Sequence, residues 1–256
     1  MFKKYLTGLL MAWGNFFFIP CPIKKWDDDS KNYMLAWVPF IGFIMGLLWM
    51  GISLLLFRLS LPIYLTGFVI TFIPFLLSGF IHVDGFMDVC DALGSWGDTE
   101  KKQKILKDSL VGSGAVIRMI FYVLCYYAMV MAAFSKLVFL PNLIFILVVP
   151  RFVSTLFVMR GRKIGEEEGT AVKSQYVGLK KDGLGFMIIS FIIILAIVFL
   201  TMSFRLQSLI IIAASLLGSL ISVLVAKKKL CGMNGDIAGF GILWGELFGV
   251  ISLALI

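Results

Sequence analysis

Residues 185–203 read GFMIISFIIILAIVFLTMS and contain no charged side chain. Nineteen predominantly apolar residues in a helix, at about 1.5 Å each, are nearly enough to cross roughly 30 Å of bilayer hydrocarbon. The rest of the chain has a similar composition, because 60% of its 256 residues are hydrophobic and only 15% are charged. Soluble domains are about half apolar and about one quarter charged. The sequence therefore predicts a protein that lies mainly within a membrane.

The apolar runs predict an all-α, polytopic bundle of about seven transmembrane helices. No internal boundary other than a loop is evident, so we expect residues 1–256 to form a single domain, with active-site loops at 82–114, 160–184 and 227–235. The predicted spans are 33–57, 61–81, 115–134, 139–159, 185–203, 207–226 and 236–256.

The N-terminal segment has a basic start and an apolar middle, as a signal peptide does. Bulky side chains at Phe16, Phe17 and Phe18 occupy the place of a small-residue cleavage site. We therefore predict an uncleaved interfacial helix, anchored by Lys3, Lys4, Trp13 and these phenylalanines. A re-entrant or poorly spanning helix is the alternative.

Charged residues predict the orientation of the bundle. Eighteen of the 23 basic residues lie in the N-terminal segment and in loops 82–114, 160–184 and 227–235, which should therefore face the cytoplasm. The carboxylates follow the same distribution, except for Glu246 inside the last span. We expect a multi-pass protein of the cytoplasmic (inner) membrane whose active site faces the cytoplasm. The net charge of +8 reflects this asymmetry and gives no indication of nucleic-acid binding.

The segment GFIHVDGFMDVCD, residues 79–91, contains the single histidine of the chain, His82, and three aspartates. Asp84, Asp88 and Asp91 are spaced to share one face of a helix. No lysine or arginine lies closer in the sequence than Lys101, so a cation is expected to balance them. Carboxylate oxygens are ligands that Mg²⁺ prefers. The alternative is that the acids only complement a helix dipole at the membrane edge, and that His82 is a hydrogen-bonded interfacial residue.

Residues 100–114 add a basic helix that ends at Lys107, Asp108 and Ser109, followed by a glycine-rich turn at 112–114. Backbone N–H groups beside a lysine and a hydroxyl form a plausible phosphate cradle. An ordinary helix end and turn is the alternative. Because the three aspartates lie in the same loop, we favour metal-assisted phosphate chemistry.

The C-terminal stretch KKKLCGMNGDIAGFGILWGE carries a turn at Asn234 and Gly235, followed by Asp236 at the start of a helix. Small residues on this helix predict close packing against neighbouring helices. Glu246 lies about three turns further on, and an intramembrane carboxylate is a candidate functional group. Arg118 and Arg151, which also fall inside spans, are its expected partners.

These motifs resemble those of the cobalamin synthase (adenosylcobinamide-GDP ribazoletransferase) family over nearly the whole chain. The resemblance is carried by Gly79, His82, Asp84, Gly85, Asp88, Asp91, Lys107, Asp108, Ser109 and Gly112, and by Gly232, Gly235, Asp236, Gly239 and Glu246. The chain departs from the family pattern at Phe80 (usually glycine), Leu110 (usually polar or basic), Asn234 (usually threonine) and Leu243 (often an acid). The departures leave substrate affinity and base specificity open.

The resemblance implies that α-ribazole or its 5′-phosphate attacks adenosylcobinamide-GDP and that GMP leaves. It implies Mg²⁺ on Asp84, Asp88 and Asp91, with Asp108 completing or orienting the metal shell and with His82 or an aspartate accepting the proton. Association with other enzymes of cobalamin synthesis and a homo-oligomer remain open. The expected substrate-binding residues are Lys107, Ser109, Arg118, Arg151, Arg160, Arg162, Asn234, Asp236 and Glu246.

Two other functions are less consistent with the sequence. A CDP-alcohol phosphotransferase requires the motif D-x-x-D-G-x-x-A-R, but Ile81 stands where its first aspartate would be. A transporter would need polar groups at the bilayer midplane, and this chain has few. Both patterns disfavour the alternatives.

Overall fold

The computed structural model describes residues 2–108, 110–134, 139–164, 181–200 and 205–256, and this part of the chain is almost entirely helical. The predicted all-α fold is therefore confirmed. A single 3₁₀ turn, Asp28–Ser30, precedes the second helix. The helices are α1 Phe2–Phe16, α2 Lys31–Arg58, α3 Ile63–Leu77, α4 Ile81–Gly94, α5 Thr99–Ile105, α6 Ser113–Ala133, α7 Phe139–Arg160, α8 Lys181–Leu200, α9 Arg205–Lys229 and α10 Gly235–Leu255.

In the described part of the chain, six helices are long and apolar enough to cross a membrane by themselves, namely α2 and α6 to α10. They coincide with six of the seven predicted spans. The seventh predicted span, 61–81, contains α3, which is long enough to cross only when it is counted together with α4. The two helices are bent by 87° at their junction and would form a broken seventh span.

The break between α3 and α4 is a glycine-terminated helix end. The N–H of Gly79 donates to the carbonyl of Leu76, and the N–H of Phe80 donates to the carbonyl of Phe75. This is the Schellman arrangement, which requires a left-handed residue after the helix. Gly79 has φ +60°, and Phe80 follows with φ +62°. Two successive left-handed residues turn the chain, so that α4 leaves in a new direction.

The N-terminal helix α1 is 15 residues long, or about 22 Å, which is shorter than a transmembrane span. It packs against the start of α2, where a Cβ added at Gly8 would lie 2.6 Å from the Cβ of Tyr33. The indole N–H of Trp37 also donates to the carbonyl of Tyr5 at 3.0 Å. The short helix is as predicted, and its interfacial position stays a prediction.

The centre of the bundle is formed by α7 and α10, the two most buried of the spanning helices. Glycines on α10 allow the close approach, because added Cβ atoms at Gly245 and Gly249 would clash with Pro150 and Ser215. The predicted packing role of the α10 glycines is therefore confirmed. The glycines allow the α10 backbone to lie close to both α7 and α9.

The end of α7 is tied to the start of α10 by backbone contacts. The N–H of Met233 donates to the carbonyl of Arg162 at 2.7 Å, and Lys163 forms a parallel bridge with Met233. A Cβ at Gly232 would lie 2.6 Å from the backbone nitrogen of Ile164, so only glycine permits this approach. Two of the predicted active-site loops are thereby joined at one end of the bundle.

The left-handed conformation of Gly79 gives a stability prediction. A Cβ has open space at both Gly79 and Gly51, but only Gly79 has a positive φ. Gly79→Ala should therefore destabilise the protein by about 1 kcal/mol through backbone strain. Gly51→Ala, inside α2, should stabilise it by about 0.5 kcal/mol. Thermal unfolding in detergent measures both, and equal shifts of the two variants in the same direction would contradict the assigned turn.

Candidate active site

The predicted site is assembled where α4 crosses the first turn of α10. A Cβ at Gly85 would lie 2.8 Å from the Cα of Asp236, and one at Gly239 would lie 3.1 Å from the carbonyl oxygen of His82. Beside this contact the ring of Phe86 stacks on that of Phe240, with centroids 5.5 Å apart. The lack of a side chain at Gly85 thus permits a close approach of the two helices. It places the aspartates of α4 beside Asp236.

Three carboxylates at this crossing lack a basic counter-charge in contact. Asp84 is exposed, whereas Asp88 and Asp236 are partly buried. Within the described residues, none of the three takes part in a salt bridge. Asp88 lies on α4, outside the six spanning helices, and burial together with Asp84, Asp236 and Asp91 raises its pKa to about 6. The crossing therefore has an unbalanced negative charge that favours a cation.

Asp91 has a different role from the one the sequence predicted. Its carboxylate accepts hydrogen bonds from the backbone N–H groups of Gly112 and, at 3.0 Å, Ala115. These are free N–H groups at the start of α6, which a carboxylate satisfies as a cap. Asp91 is therefore not an unpaired carboxylate, and the predicted phosphate cradle at 112–114 is occupied by Asp91.

A metal site of three convergent carboxylates is not preformed in the described part of the chain, where no three His, Cys, Asp or Glu side chains are grouped to hold a metal ion. The assignment of Mg²⁺ to Asp84, Asp88 and Asp91 stays a prediction. Mg²⁺ commonly binds through one or two carboxylates, several waters and a substrate phosphate. Asp84 and Asp88, one turn apart, suit that mode.

A cavity of about 420 Å³ opens beside the crossing. It is lined mostly by apolar side chains, with a few polar groups, as small-molecule sites are. The side chain of His82 is buried, and its Nε2 has no hydrogen-bond partner among the residues that the structure describes. The polar residues of the lining come from α4, α7, the start of α10 and the loops that follow α5, α7 and α9: His82, Asp84, Lys107, Thr155, Lys163, Asn234 and Asp236.

Asn234 organises the start of α10. Its Oδ1 accepts from the N–H of Ile237 at 3.0 Å, and its Nδ2 donates to the Asp236 carboxylate at 2.6 Å. The side chain is thus the N-cap of the helix and also orients Asp236. An asparagine can perform both functions where the family usually has threonine.

Of the remaining predicted site residues, some line the cavity and others do not. Lys107 lines the cavity, whereas Asp108, Arg160 and Arg162 are exposed and are not part of its lining. The Asp108 carboxylate accepts from the N–H of Leu110 at 3.1 Å. Ser109 lies outside the described residues. Sequence reasoning missed Lys163, whose proximity to Arg162 in a basic loop was the available signal.

Arg151 and Glu246 form an ion pair inside the bundle rather than a substrate contact. The guanidinium Nη1 lies 2.7 Å from Glu246 Oε1, and both side chains are 2% exposed. The predicted partnership of these two residues is present. Their predicted substrate-binding role is not supported, because neither lines the cavity.

Arg118 is not the second partner of Glu246 that the sequence suggested. Its Nη1 donates to the carbonyl of Cys90 at 3.0 Å, and its guanidinium lies against Gly94. A cation at the C-terminal end of α4 is favourable. Two side chains therefore join α4 to α6. Asp91 extends from α4 to the start of α6, and Arg118 extends from α6 to the end of α4.

Fold and site together define a polytopic membrane protein with a carboxylate-bearing cavity at one end of its helical bundle. The profile of the cobalamin-5-phosphate synthase family matches residues 8–254. The chain belongs to this family and is a transferase.

Similar proteins of known name match over nearly their full length. The adenosylcobinamide-GDP ribazoletransferase of Clostridium perfringens strain SM101 is 34% identical, with 99% of this chain and 100% of the relative covered. The Clostridium botulinum strain Alaska E43 protein of the same name is 34% identical, with 99% of each chain covered. That of Clostridioides difficile strain 630 is 27% identical over 93% of each. No solved structure matches the chain.

The buried ion pair gives a second stability prediction. Glu246→Gln leaves the Arg151 charge uncompensated in the core and should destabilise the protein by about 3 kcal/mol or more. Arg151→Met combined with Glu246→Leu removes both charges and should recover most of that loss. Thermal unfolding in detergent reports the change, and Glu100→Gln, at an exposed salt bridge with Lys104, is the matched control with no expected effect. A Glu246→Gln protein as stable as the wild type would contradict the pairing.

Substitution by asparagine should affect stability differently at Asp88 and Asp91, the two partly buried aspartates of α4. Asp91→Asn weakens the cap of α6 and should destabilise the protein by about 1–2 kcal/mol. Asp88→Asn removes a like charge from the crossing and should leave stability unchanged or raised. Chemical or thermal unfolding of the two variants side by side measures the difference. If Asp88→Asn is the more destabilised of the two, the assignment of Asp91 as the cap is wrong.

Proposed function

We propose that the protein transfers the adenosylcobinamide phosphate of adenosylcobinamide-GDP to α-ribazole, or to α-ribazole 5′-phosphate. A ribose hydroxyl oxygen forms a bond to the phosphorus that carries the cobinamide. The bond between that phosphorus and the bridging oxygen of GMP breaks, the hydroxyl proton passes to a protein base, and GMP leaves. The product is adenosylcobalamin or its phosphate. The printed activity of the full-length relatives supports this reaction.

The observation that carries the proposal is the unbalanced charge at the crossing of α4 and α10. Asp84 and Asp88 would hold Mg²⁺ together with the diphosphate of the nucleotide, since both lack a salt-bridge partner among the described residues. The bound ion would neutralise charge that develops on the leaving GMP. Asp91 would support this arrangement from its position as the α6 cap, and Asp108 remains a candidate outer ligand.

Basic residues near the cavity would hold the phosphate oxygens. Lys107 and Lys163 reach the cavity from two different loops, and Arg160 and Arg162 flank the second loop at the surface. Lysine supplies a compact positive charge that suits phosphate. Ser109 stays a predicted ligand of the same group.

The hydroxyl proton requires an acceptor within the cavity. His82 and Asp84 both line it, and the unpartnered Nε2 of His82 can accept a hydrogen bond from a hydroxyl. We therefore assign proton acceptance to His82, with Asp84 as the alternative acceptor. Asp236, held by Asn234, would position the attacking alcohol.

We further propose that this end of the bundle faces the cytoplasm, at the inner membrane. The cavity lies where α2 and α10 begin and where α7 ends, and the flanking loops contain most of the basic residues. Both soluble substrates would then approach from the cytoplasm, while the bilayer surrounds the remaining helices. A homo-oligomer and contacts with other enzymes of cobalamin synthesis stay predictions.

The transfer is tested with purified protein in liposomes, supplied with adenosylcobinamide-GDP, α-ribazole 5′-phosphate and Mg²⁺. GMP and the cobamide product should appear together and should be lost with EDTA. Asp84→Asn should lower kcat by about 100-fold or more, the usual effect of removing a charge-stabilising group, and Glu100→Gln should not. Near-normal turnover by Asp84→Asn would contradict the site. Absence of product from folded wild-type protein would contradict the reaction, and CDP-linked alcohols would be tested next.

A further inference from the structure

The cavity beside α4 extends into the bundle, and most of its polar groups lie at one end. Val38 lies seven residues after the first residue of α2, and Ile242 lies seven residues after the first residue of α10. Both are therefore about 10 Å along their helices, inside the bundle. Thr155 is five residues before the end of α7. Lys107, Lys163 and Asn234 belong instead to the loops at the bundle end. The deep part of the cavity is therefore apolar, with a single hydroxyl-bearing side chain.

The volume of the cavity determines which substrate can enter it. About 420 Å³ lies at the lower end of the range for sites that enclose small ligands, roughly 300–1,000 Å³. A nucleoside can be enclosed in such a space. A corrinoid that carries both an adenosyl group and GDP is several times larger than a nucleoside. The deep cavity thus suits α-ribazole and excludes the corrinoid.

A second, surface cleft of about 570 Å³ shares Ile81 and Asp84 with this cavity. Its other lining residues include Gly14, Asn15 and Phe80, which are exposed. A large substrate can reach this cleft from outside without entering the bundle. Asp84 lines both the cavity and the cleft. The reacting groups of two substrates, one in each space, would therefore meet beside Asp84.

We propose that the deep end of the cavity, formed by Val38, Thr155 and Ile242, is the subsite for the flat base of α-ribazole and sets base specificity. This inference rests on the proposed function. The ribose and phosphate would then lie at the polar mouth, with the attacking hydroxyl beside His82 and Asp84. The corrinoid nucleotide would occupy the surface cleft. Burial of an aromatic base against aliphatic side chains provides the binding free energy.

Steady-state kinetics of full-length protein in liposomes tests the subsite, with the KM of each substrate measured separately. Val38→Phe fills the deep end and should raise the KM for α-ribazole about 10-fold or more, on the scale of methylene-sized pocket changes. The KM for adenosylcobinamide-GDP should stay within about twofold, because that substrate lies in the cleft. Ile242→Ala enlarges the pocket and should change the order of preference among nucleosides with larger and smaller bases.

Val116→Phe is the matched control, because it makes the same substitution at an exposed position of α6. If thermal unfolding shows that Val38→Phe is misfolded, Val38→Leu provides the smaller increase in volume. Equilibrium dialysis measures α-ribazole binding to wild type and variant without the second substrate. It therefore tests the base subsite separately from the transfer reaction. Absence of product from wild type overturns the transfer reaction, whereas lost α-ribazole binding in the variant still supports the subsite.

Two results would overturn the subsite. One is an unchanged KM for α-ribazole in a folded Val38→Phe protein, or a raised KM for adenosylcobinamide-GDP alone. The other is a lipid acyl chain that copurifies with wild type and is lost from the variant while α-ribazole kinetics are unchanged. That second result would assign the deep cavity to lipid.

Discussion

The close crossing of α4 over the first turn of α10 is the constraint on which the rest of the site depends. Gly85 leaves no room for a Cβ and Gly239 leaves little, so the two backbones touch. The carboxylates of Asp84 and Asp236 are thereby close enough to that of Asp88 to repel it. The turn at Gly79 and Phe80 aims α4 across α10, and Asp91 and Arg118 fasten its far end to α6. Packing thereby holds like charges together that would otherwise separate.

Two groups of buried or half-buried charges in this protein have opposite roles. Arg151 and Glu246 are paired at 2.7 Å and fully enclosed, so their charges are balanced within the fold. The aspartates at the crossing are near a cavity and lack a salt-bridge partner among the described residues. A balanced pair stabilises the arrangement of α7 and α10, while an unbalanced cluster favours a cation and a phosphate. The distinction separates residues that build the site from residues that would act in it.

The spanning helices could be predicted because bilayer thickness imposes a length and composition that are visible in the sequence. The placement of three aspartates on one helix, and the packing role of the α10 glycines, likewise follow from periodicity. The break at residues 78–80 was missed because an apolar run continues through it, although Ser78 and Gly79 carried a turn signal. The capping role of Asp91 depends on N–H groups 21 and 24 residues away, and Lys163 is held near the cavity by a backbone bridge to Met233. Such tertiary contacts leave no periodic trace in one sequence.

The most direct test of the account is the rate of cobamide formation by Gly85→Ala. A methyl group at this position meets the backbone of Asp236 and must push α4 away from α10. Displacement of catalytic groups by about 1 Å can reduce a rate about 100-fold, so we expect a loss of that size while the protein remains folded in the membrane. Gly185→Ala, which has open space around the added methyl, should retain full activity. Wild-type turnover by Gly85→Ala would contradict the claim that this crossing assembles the active site.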